Sequence, residues 1–512
     1  MAREKAPARK MPWATILQRP VEATRRLSCA MDRTRRVFAI SAICVVVATI
    51  APAAQSAGLQ AWSATAIPQA TLEMAGKGSG ISALSADGRV AVVAATGGVY
   101  VFRTPSEDSW DSISRPAARL RLSPSALVNL TAVATSSDGT TVLVAAGLVG
   151  DNPAAVYVFH VSSPRAWTST VRPTAKLTNA ADPTGFGSGV ALSSDGTTAL
   201  VGDVEGADVF HVATADSWRD SSIPAATLVA DAAGAVAGGL SIAVALSADG
   251  TTALIGATSL HTFVGAAYVF HSAAADAWAS SATPDAVLTD GAIGLFGDGF
   301  GGAVALSPDG TTALVGAPNL AFGPAGAAYF FHAGSPDAWT STADPDAVAG
   351  QHGGGRGAVP GWSVALSEEG TALIGEPSVL GEVGAAEVLH AAQLGKVSHA
   401  KLTDAASPPG DLFGASVELS SDGTTALVSS VRASVIYSQS GSADATHCYV
   451  PYLRGAPIRA AKTAIESTHC RVGRVTRVKT SRRRNNYVIS QTPDPGDRLA
   501  KGATVGLRVA QR

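Results

Sequence analysis

The chain is poor in charge. Only 15% of its 512 residues are Asp, Glu, Lys or Arg, while 46% are hydrophobic, a balance that supplies ample core and argues against a disordered chain. Cysteine is almost missing too: Cys29 and Cys44 lie in or before an N-terminal leader, so a mature chain keeps Cys448 and Cys470 alone. Two sulfurs by themselves are too few for a structural metal site. No helical hydrophobic period runs through the body of the chain, which excludes a helical solenoid. Motifs of catalysis are also lacking: no serine in a nucleophile elbow, no zinc-protease helix, no phosphate-binding glycine loop before a helix, and no paired-acid motif outside repeating turns. That excludes the motif-bearing enzyme classes, although a site drawing single residues from several loops would escape such a search.

What is present is a repeat. The stretch VALSSDGTTALVGDVEGADVFH, from Val190 to His211, recurs with variations up to Tyr437. An Asp-Gly dipeptide or a close relative marks each copy, with its glycine at Gly88, Gly139, Gly196, Gly250, Gly310, Gly370 and Gly423. A period of roughly 50 to 60 residues indicates a propeller, solenoid or array. Within a unit, alternating VALS runs into Ser-Asp-Gly and straight on into TTALVG, the pattern of a β-hairpin. A third run such as Gly265 to His271 and a fourth from Trp278 to the Ala-x-Leu ending at Leu288 complete four strands. That content fits a propeller blade.

The ends of the array predict how it closes. The last unit stops after its third run, Ala433 to Ser440, and the missing fourth run stands ahead of the first hairpin, Ala61 to Leu72. The expected fold is therefore all-β: a seven-bladed propeller of four-stranded blades closed by an N-terminal strand, with no exposed sheet edge. The sixth unit has a degenerate fourth run, Leu394 to Leu402, without the tryptophan found at Trp110, Trp167, Trp218 and Trp339.

Residues 1–57 read as a basic leader and signal peptide. Arginines precede the apolar run Val37 to Ala51, which is followed by Pro52 and small residues suited to cleavage. The run is short of the about 20 residues that a membrane span needs; an uncleaved anchor is the alternative. Arg35-Arg36 leaves both the general and the twin-arginine export routes open, and Met31 offers a second start. Export makes Cys448 and Cys470 read as one disulfide. His447 and His469, each preceding a cysteine, leave a zinc site as the alternative.

The net charge of −2 conceals segregation. Residues 58–445 hold 14 basic and 34 acidic side chains, and residues 446–512 hold 14 and three, or near −20 against +11. A basic module of this kind attracts anionic polymers through a salt-sensitive field, with solubility or docking on the acidic part as the alternative.

Two resemblances follow from these residues. Units such as Phe186 to Gly202 and Phe300 to Pro318 resemble FG-GAP repeats, distantly related to the integrin α propeller. The resemblance spans residues 58–445 and implies seven blades and extracellular binding or adhesion. Calcium-binding members carry an acidic loop ahead of the Asp-Gly, whereas here the turns are cut to Asp195-Gly196, Asp249-Gly250 or Asp309-Gly310. One carboxylate falls short of the six to eight oxygens calcium takes, so no cofactor is expected. Asp290, Asp298, Asp404 and Asp411, in Gly-rich loops, are the weaker candidates for calcium or another ligand. Residues 446–512 resemble a PASTA domain through Val450-Pro451, Leu453, Gly455, a helical run Ala460 to Ile465 and the turn Gln491 to Gly496. That resemblance implies a small α+β domain with one helix on a sheet and contact with peptidoglycan, and Arg482, Arg483 and Arg484 are the candidate residues for touching a wall polymer.

Other candidates weigh toward structure. His160, His211, His271, His332 and His390 end successive third strands, which puts them too far apart around a ring to share a metal. The tryptophans, one per blade, are expected to wedge between sheets. Irregular residues of the sixth unit, Arg356, Trp362, Glu368, Glu369 and Glu376, are where a specialised site would sit. The reading is a secreted or wall-associated, non-catalytic adhesion or binding scaffold. Its partners are an anionic wall polymer such as peptidoglycan, or an extracellular protein or glycan, and it has no nucleic-acid partner and no membrane span after cleavage. The alternative is an extracellular propeller hydrolase or lyase with loop-borne site residues.

Overall fold

The computed structural model describes Trp62 and residues 68–511 apart from short loop stretches, of which 231–239, 351–358 and 391–399 are the longest. The leader, Arg356, His469 and Arg482 to Arg484 lie outside the described residues. Seven sheets follow one another, each an antiparallel meander, and the innermost strands adjoin in order until Ser416–Leu419 of the last blade meets Gly78–Leu84 of the first. Numbered from the N-terminus, blade I comprises Gly78–Leu84, Val90–Ala95, Gly98–Arg103 and Ala118–Leu120, and blade IV comprises Leu240–Leu246, Thr252–Ser259, Gly265–His271 and Ala286–Leu288. The fold is a seven-bladed propeller.

Blade VII is finished by the other end of the chain. Ala70–Leu72 pairs antiparallel with the third strand Ser434–Ser438, Ala70 opposite Ile436, and the Trp62 indole donates to the Gly423 carbonyl at 3.1 Å. The fourth strand of each blade is shorter than the run beginning at the tryptophan suggests. Only Ala286–Leu288 pairs within blade IV, while Ser281 bridges back, in parallel, to Leu228 of blade III. Ser221 and Thr342 reach Leu177 and Leu288 in the same way. Half of the expected strand is thus a stitch between blades.

A second set of links runs through the hairpin turns. In five blades the residue after the turn serine donates its backbone N–H to the next blade: Ser137 to Ser194, Ser194 to Ala248, Ala248 to Pro308, Glu368 to Ser421, and Ser421 to Ala86 across the closure. Asp87 donates to Ser137. Pro308 accepts and has no N–H to pass on, so the series breaks between blades V and VI.

The core lies between blades. Leu143, Val156, Val158 and Leu177 of blade II face Ala199, Val201, Phe210 and Trp218 of blade III, all buried. Phe300, from the loop entering blade V, meets Phe331 edge to face at 6.1 Å, and Phe186 meets Phe210 likewise. The glycine after this phenylalanine is held at positive φ, 83° at Gly301, where an added Cβ would lie 2.6 Å from the Ala266 carbonyl oxygen. The Phe-Gly pair of the repeat is therefore a ring inserted between sheets followed by a residue that tolerates neither a side chain nor negative φ.

The closure seam is built differently. At Gly256, Gly316 and Gly375 an added Cβ would come within 2.3, 2.2 and 2.2 Å of a carbonyl oxygen of the next blade. Ser429 stands at the corresponding register in blade VII, opposite Ser434, and its hydroxyl donates to Ser82 of blade I at 2.9 Å. Ser82 and Ser416 pair at 3.0 Å.

The C-terminal domain is α+β. Helix Ile458–Ser467 lays Ala461 and Ile465 on Val505, Leu507 and Val509 of a three-stranded sheet, extending beyond the expected Ala460 to Ile465 at both ends. Strands run in the order Arg471–Lys479, Thr504–Gln511, Val488–Thr492, the first pair parallel. His447–Tyr449 pairs separately with Arg498–Ala500.

Candidate functional site

The two ends of the propeller use their polar residues in opposite ways. At the hairpin-turn end one side-chain hydrogen-bond set recurs from unit to unit. The Ser193 hydroxyl donates to Asp195 Oδ1 at 2.6 Å, and the same oxygen accepts from Thr197 N and Oγ1 at 3.0 and 2.8 Å. Burial raises the Asp195 pKa, but the Ser193 and Thr197 hydrogen bonds outweigh it and hold the carboxyl below its ordinary value. Asp138, Asp249 and Asp309 behave alike for the same reasons. These aspartates are turn residues that accept from the turn serine and threonine, through Oδ1 alone in Asp138, Asp195 and Asp249.

The tryptophans and histidines belong to the same construction. Trp110, Trp167, Trp218, Trp278 and Trp339 donate their indole N–H to the carbonyls of Gly88, Gly139, Gly196, Gly250 and Gly310 at 2.8 to 3.0 Å. Their rings sit in the clusters between blades, as wedges. His160, His211, His271 and His332 pair through Nδ1 with Thr141, Thr198, Thr252 and Thr312 of their own blades at 2.9 to 3.1 Å.

The opposite end, formed by the second-to-third and blade-to-blade connections, differs from blade to blade. Between blades IV and V the structure brings Asp290 and Asp298 together with Tyr329, whose hydroxyl lies 3.3 Å from Asp298 Oδ2. Burial, then the charge and hydrogen bond of Asp290, push Asp298 up to about 6 against the Phe300 N–H. Burial and both carboxylates raise the Tyr329 phenol far above its ordinary value. Between blades VI and VII, Ser407 bridges Asp404 and Asp411 at 3.0 and 3.1 Å, and Arg432 pairs with Asp411 at 3.3 Å. In blade II to III, Asp208 takes Asn179 and Thr227 at 2.7 Å each.

Blade VI carries the most unusual set. Glu376 bonds Lys401 Nζ at 3.0 Å and faces Glu387, which burial and then the Glu376 charge push up to about 7 despite Lys401. Trp362 is 37% exposed, one of few large apolar side chains so presented among the described residues, whereas Glu368 and Glu369 sit in the exposed hairpin turn at the other end. Of the irregular residues that are described, Trp362 and Glu376 therefore lie at one end and Glu368 and Glu369 at the other.

One side chain escaped the repeat-based reading. Two positions before each turn serine stand Ala83, Ala134, Ala191, Ala245, Ala305 and Ala365, and in blade VII Glu418. Among the described residues it is the one ionisable group on the seven innermost strands. Burial, partly offset by a Ser416 hydrogen bond, pushes it up to about 8. Its signal in the sequence was departure from a consensus, not a motif.

Among the described residues, the side chains at Asp290, Asp298 and Tyr329 supply two carboxylates and a phenol, fewer oxygens than the six to eight calcium takes, and at Asp411 a guanidinium pairs with the carboxylate. Among the described residues no group of three or more His, Cys, Asp or Glu is placed to hold a metal ion.

In the C-terminal domain Cys448 and Cys470 are joined by a disulfide with Cα atoms 4.7 Å apart, so neither sulfur is left for a zinc site. Arg471, Arg474, Arg477 and Lys479 lie exposed or half-exposed along one edge strand, and Gln491 Oε1 accepts from Leu453 N at 2.6 Å, tying the expected turn to the start of the domain. No helix of the described residues is long and apolar enough to cross a membrane.

Residues 449–511 match the family model of the PASTA domain; the C-terminal domain is a PASTA domain. Among solved structures, the chain is similar to one from a crystal structure of the mitotic checkpoint complex, with 13% identity, 74% of this chain and 97% of that chain covered, and a TM-score of 0.47. It is also similar to the C-terminal WD40 domain of Sif2, with 13% identity, 72% and 99% covered, and a TM-score of 0.41. No curated protein matches the chain.

Proposed function

We propose that the protein is a secreted or cell-surface, non-catalytic scaffold. In this reading residues 58–445 form an FG-GAP-type propeller that presents a binding face to an extracellular protein or glycan, and residues 446–512 hold it to peptidoglycan or an anionic wall polymer. The observation that carries it is the PASTA domain, disulfide-bonded and strongly basic, on one chain with an acidic propeller. The differing loop end, with Trp362 exposed, is the face assigned to the partner; the turn end repeats one Ser-Asp hydrogen bond from unit to unit. The test is retention on purified cell-wall sacculi of residues 58–512 beside a chain ending at Ser440. Retention that disappears with the tail is the expected result, and equal retention of both chains, or of neither, overturns the wall assignment.

The carboxyl pairs Asp290–Asp298 and Glu376–Glu387 favour one second reading, a hydrolase or lyase, because a carboxyl that keeps its proton near neutrality can act as a general acid. A screen of wall and extracellular glycans for turnover decides between the two: hydrolysis that is lost in Asp298→Asn or Glu387→Gln would replace the scaffold reading with the enzymatic one.

A further inference from the structure

We propose that the free edge of the PASTA sheet, strand Arg471–Lys479, is the binding surface for a linear phosphodiester polymer. The inference rests on the wall-contact reading and specifies both its surface and its ligand chemistry. The strand pairs on one side with Thr504–Gln511 and, among the described residues, with no strand on the other. Its side chains include Arg471, Arg474, Arg477 and Lys479, and Arg508 stands beside Thr476 on the neighbouring strand. Arg477 donates to the Asn486 side-chain oxygen at 3.3 Å. Among the described residues none of these five cations forms an ion pair with a carboxylate; the salt bridges lie elsewhere in the chain.

Geometry and composition select the ligand. At about 3.3 Å per residue, the four strand cations recur roughly every 7 to 10 Å along the edge, with a bulge between Val472 and Val475; Arg477 and Lys479 share the face of Val509 and Arg508 is on the other, so cations flank the edge on both faces. A flexible polymer carrying one charge per repeat can follow such a line, and guanidinium groups match phosphate oxygens in a two-pronged geometry. The edge offers no aromatic platform: its uncharged residues are Val472, Gly473, Val475, Thr476 and Val478. Recognition by stacking on a neutral sugar therefore has no surface here. Charge also protects an open edge against strand addition by another copy, and a bound polyanion would cover the edge without removing that protection.

The test uses the full chain, with poly(glycerol phosphate) as titrant at low and moderate salt. Each phosphate contact contributes about 0.7 to 0.9 to the log–log salt slope for nucleic acids. The triple variant R471Q/R474Q/R477Q should bind at least about tenfold more weakly at low salt, with a shallower salt slope. The control is R459Q/K462Q on the helix, two exposed cations whose loss should leave affinity within about twofold. Triple replacement by lysine retains the charge, and an intermediate affinity would confirm the guanidinium contribution. Equal weakening in the helix variant would reduce the effect to net charge and overturn the proposal, as would an unweakened glutamine triple. If sacculi retain the protein while the phosphodiester polymer does not bind, this inference fails and the wall reading stands. If neither binds, both fail.

Discussion

The two ends of the propeller are made from the same seven repeats, yet one end repeats its chemistry and the other does not. At the turn end Ser193, Asp195 and Thr197 close a hydrogen-bond set within five residues, and Trp218 adds the Gly196 carbonyl. Every partner is supplied by the unit itself, so the set can be copied without regard to neighbours. At the loop end partners come from the connections between blades and from neighbouring strands: Asn179 for Asp208, Asp298 for Tyr329 and Lys401 for Glu376. There the unit is free to vary in pairs, and it does. Uniform residues mark construction, and paired departures mark where a face has been specialised.

Substitutions at the two ends should separate these roles. The largest effect is expected at the turn end. Trp218→Ala removes a ring that is 1% exposed, together with its bond to Gly196, and should cost about 4 kcal/mol, lowering the thermal midpoint without changing the loop-end carboxyl titrations. A wild-type midpoint would refute the wedge role.

Next is Glu418, where blade VII departs from alanine. Its folded-state pKa of about 8 lies above the ordinary glutamate value, so the folded state holds the proton more tightly. Stability should then fall as pH rises from about 4.5 to about 8 and level off beyond, where the carboxylate is charged in both states. Glu418→Ala should stabilise the protein more at pH 9 than at pH 4 and remove this segment of the pH dependence. Denaturant unfolding at the two pH values checks this, and a uniform gain would instead indicate packing.

Asp298→Asn is expected to act in the same sense on a smaller scale. The shift to about 6 makes stability decline between about pH 4 and 6. The variant should flatten that segment by about 1 to 2 kcal/mol after allowance for solvent screening, visible in the pH dependence of unfolding. Smallest is Asp195→Asn at the turn end. All three hydrogen bonds converge on Oδ1, an oxygen that asparagine retains, so the loss should stay near 0.5 kcal/mol. A loss comparable to that of Trp218→Ala would show that the charge itself is required.

Much of this was legible before any coordinates. The turn glycines count seven units, and Gly196 and Gly310 adopt φ of 73° and 74°, as the Ser-x-Asp-Gly pattern requires. The fourth strand was only half legible, because residues around Ser281 read as strand but pair across to Leu228. Asp290, Asp298, Asp404 and Asp411 were legible as candidates and proved to be two carboxyl pairs, while Glu387 and Glu418 stood inside ordinary strand runs where nothing local distinguishes them. Arg482 to Arg484 drew attention by their run, whereas Arg471, Arg474 and Arg477 were hidden by the valines between them.

By itself the sequence determined the blade count, the hairpins, the closure by the N-terminal strand and the separate basic domain. Each follows from local periodicity, turn chemistry or order along the chain, and none needs a distant partner. The tertiary structure decided the rest: the serine seam of Ser82, Ser416 and Ser429, the break in the turn links at Pro308, the acid pairs, and the open cationic edge. The serine seam and the turn links join residues some 50 to 350 positions apart, and which groups meet across a blade interface is set by sheet register and ring closure, quantities that no single unit of the repeat encodes.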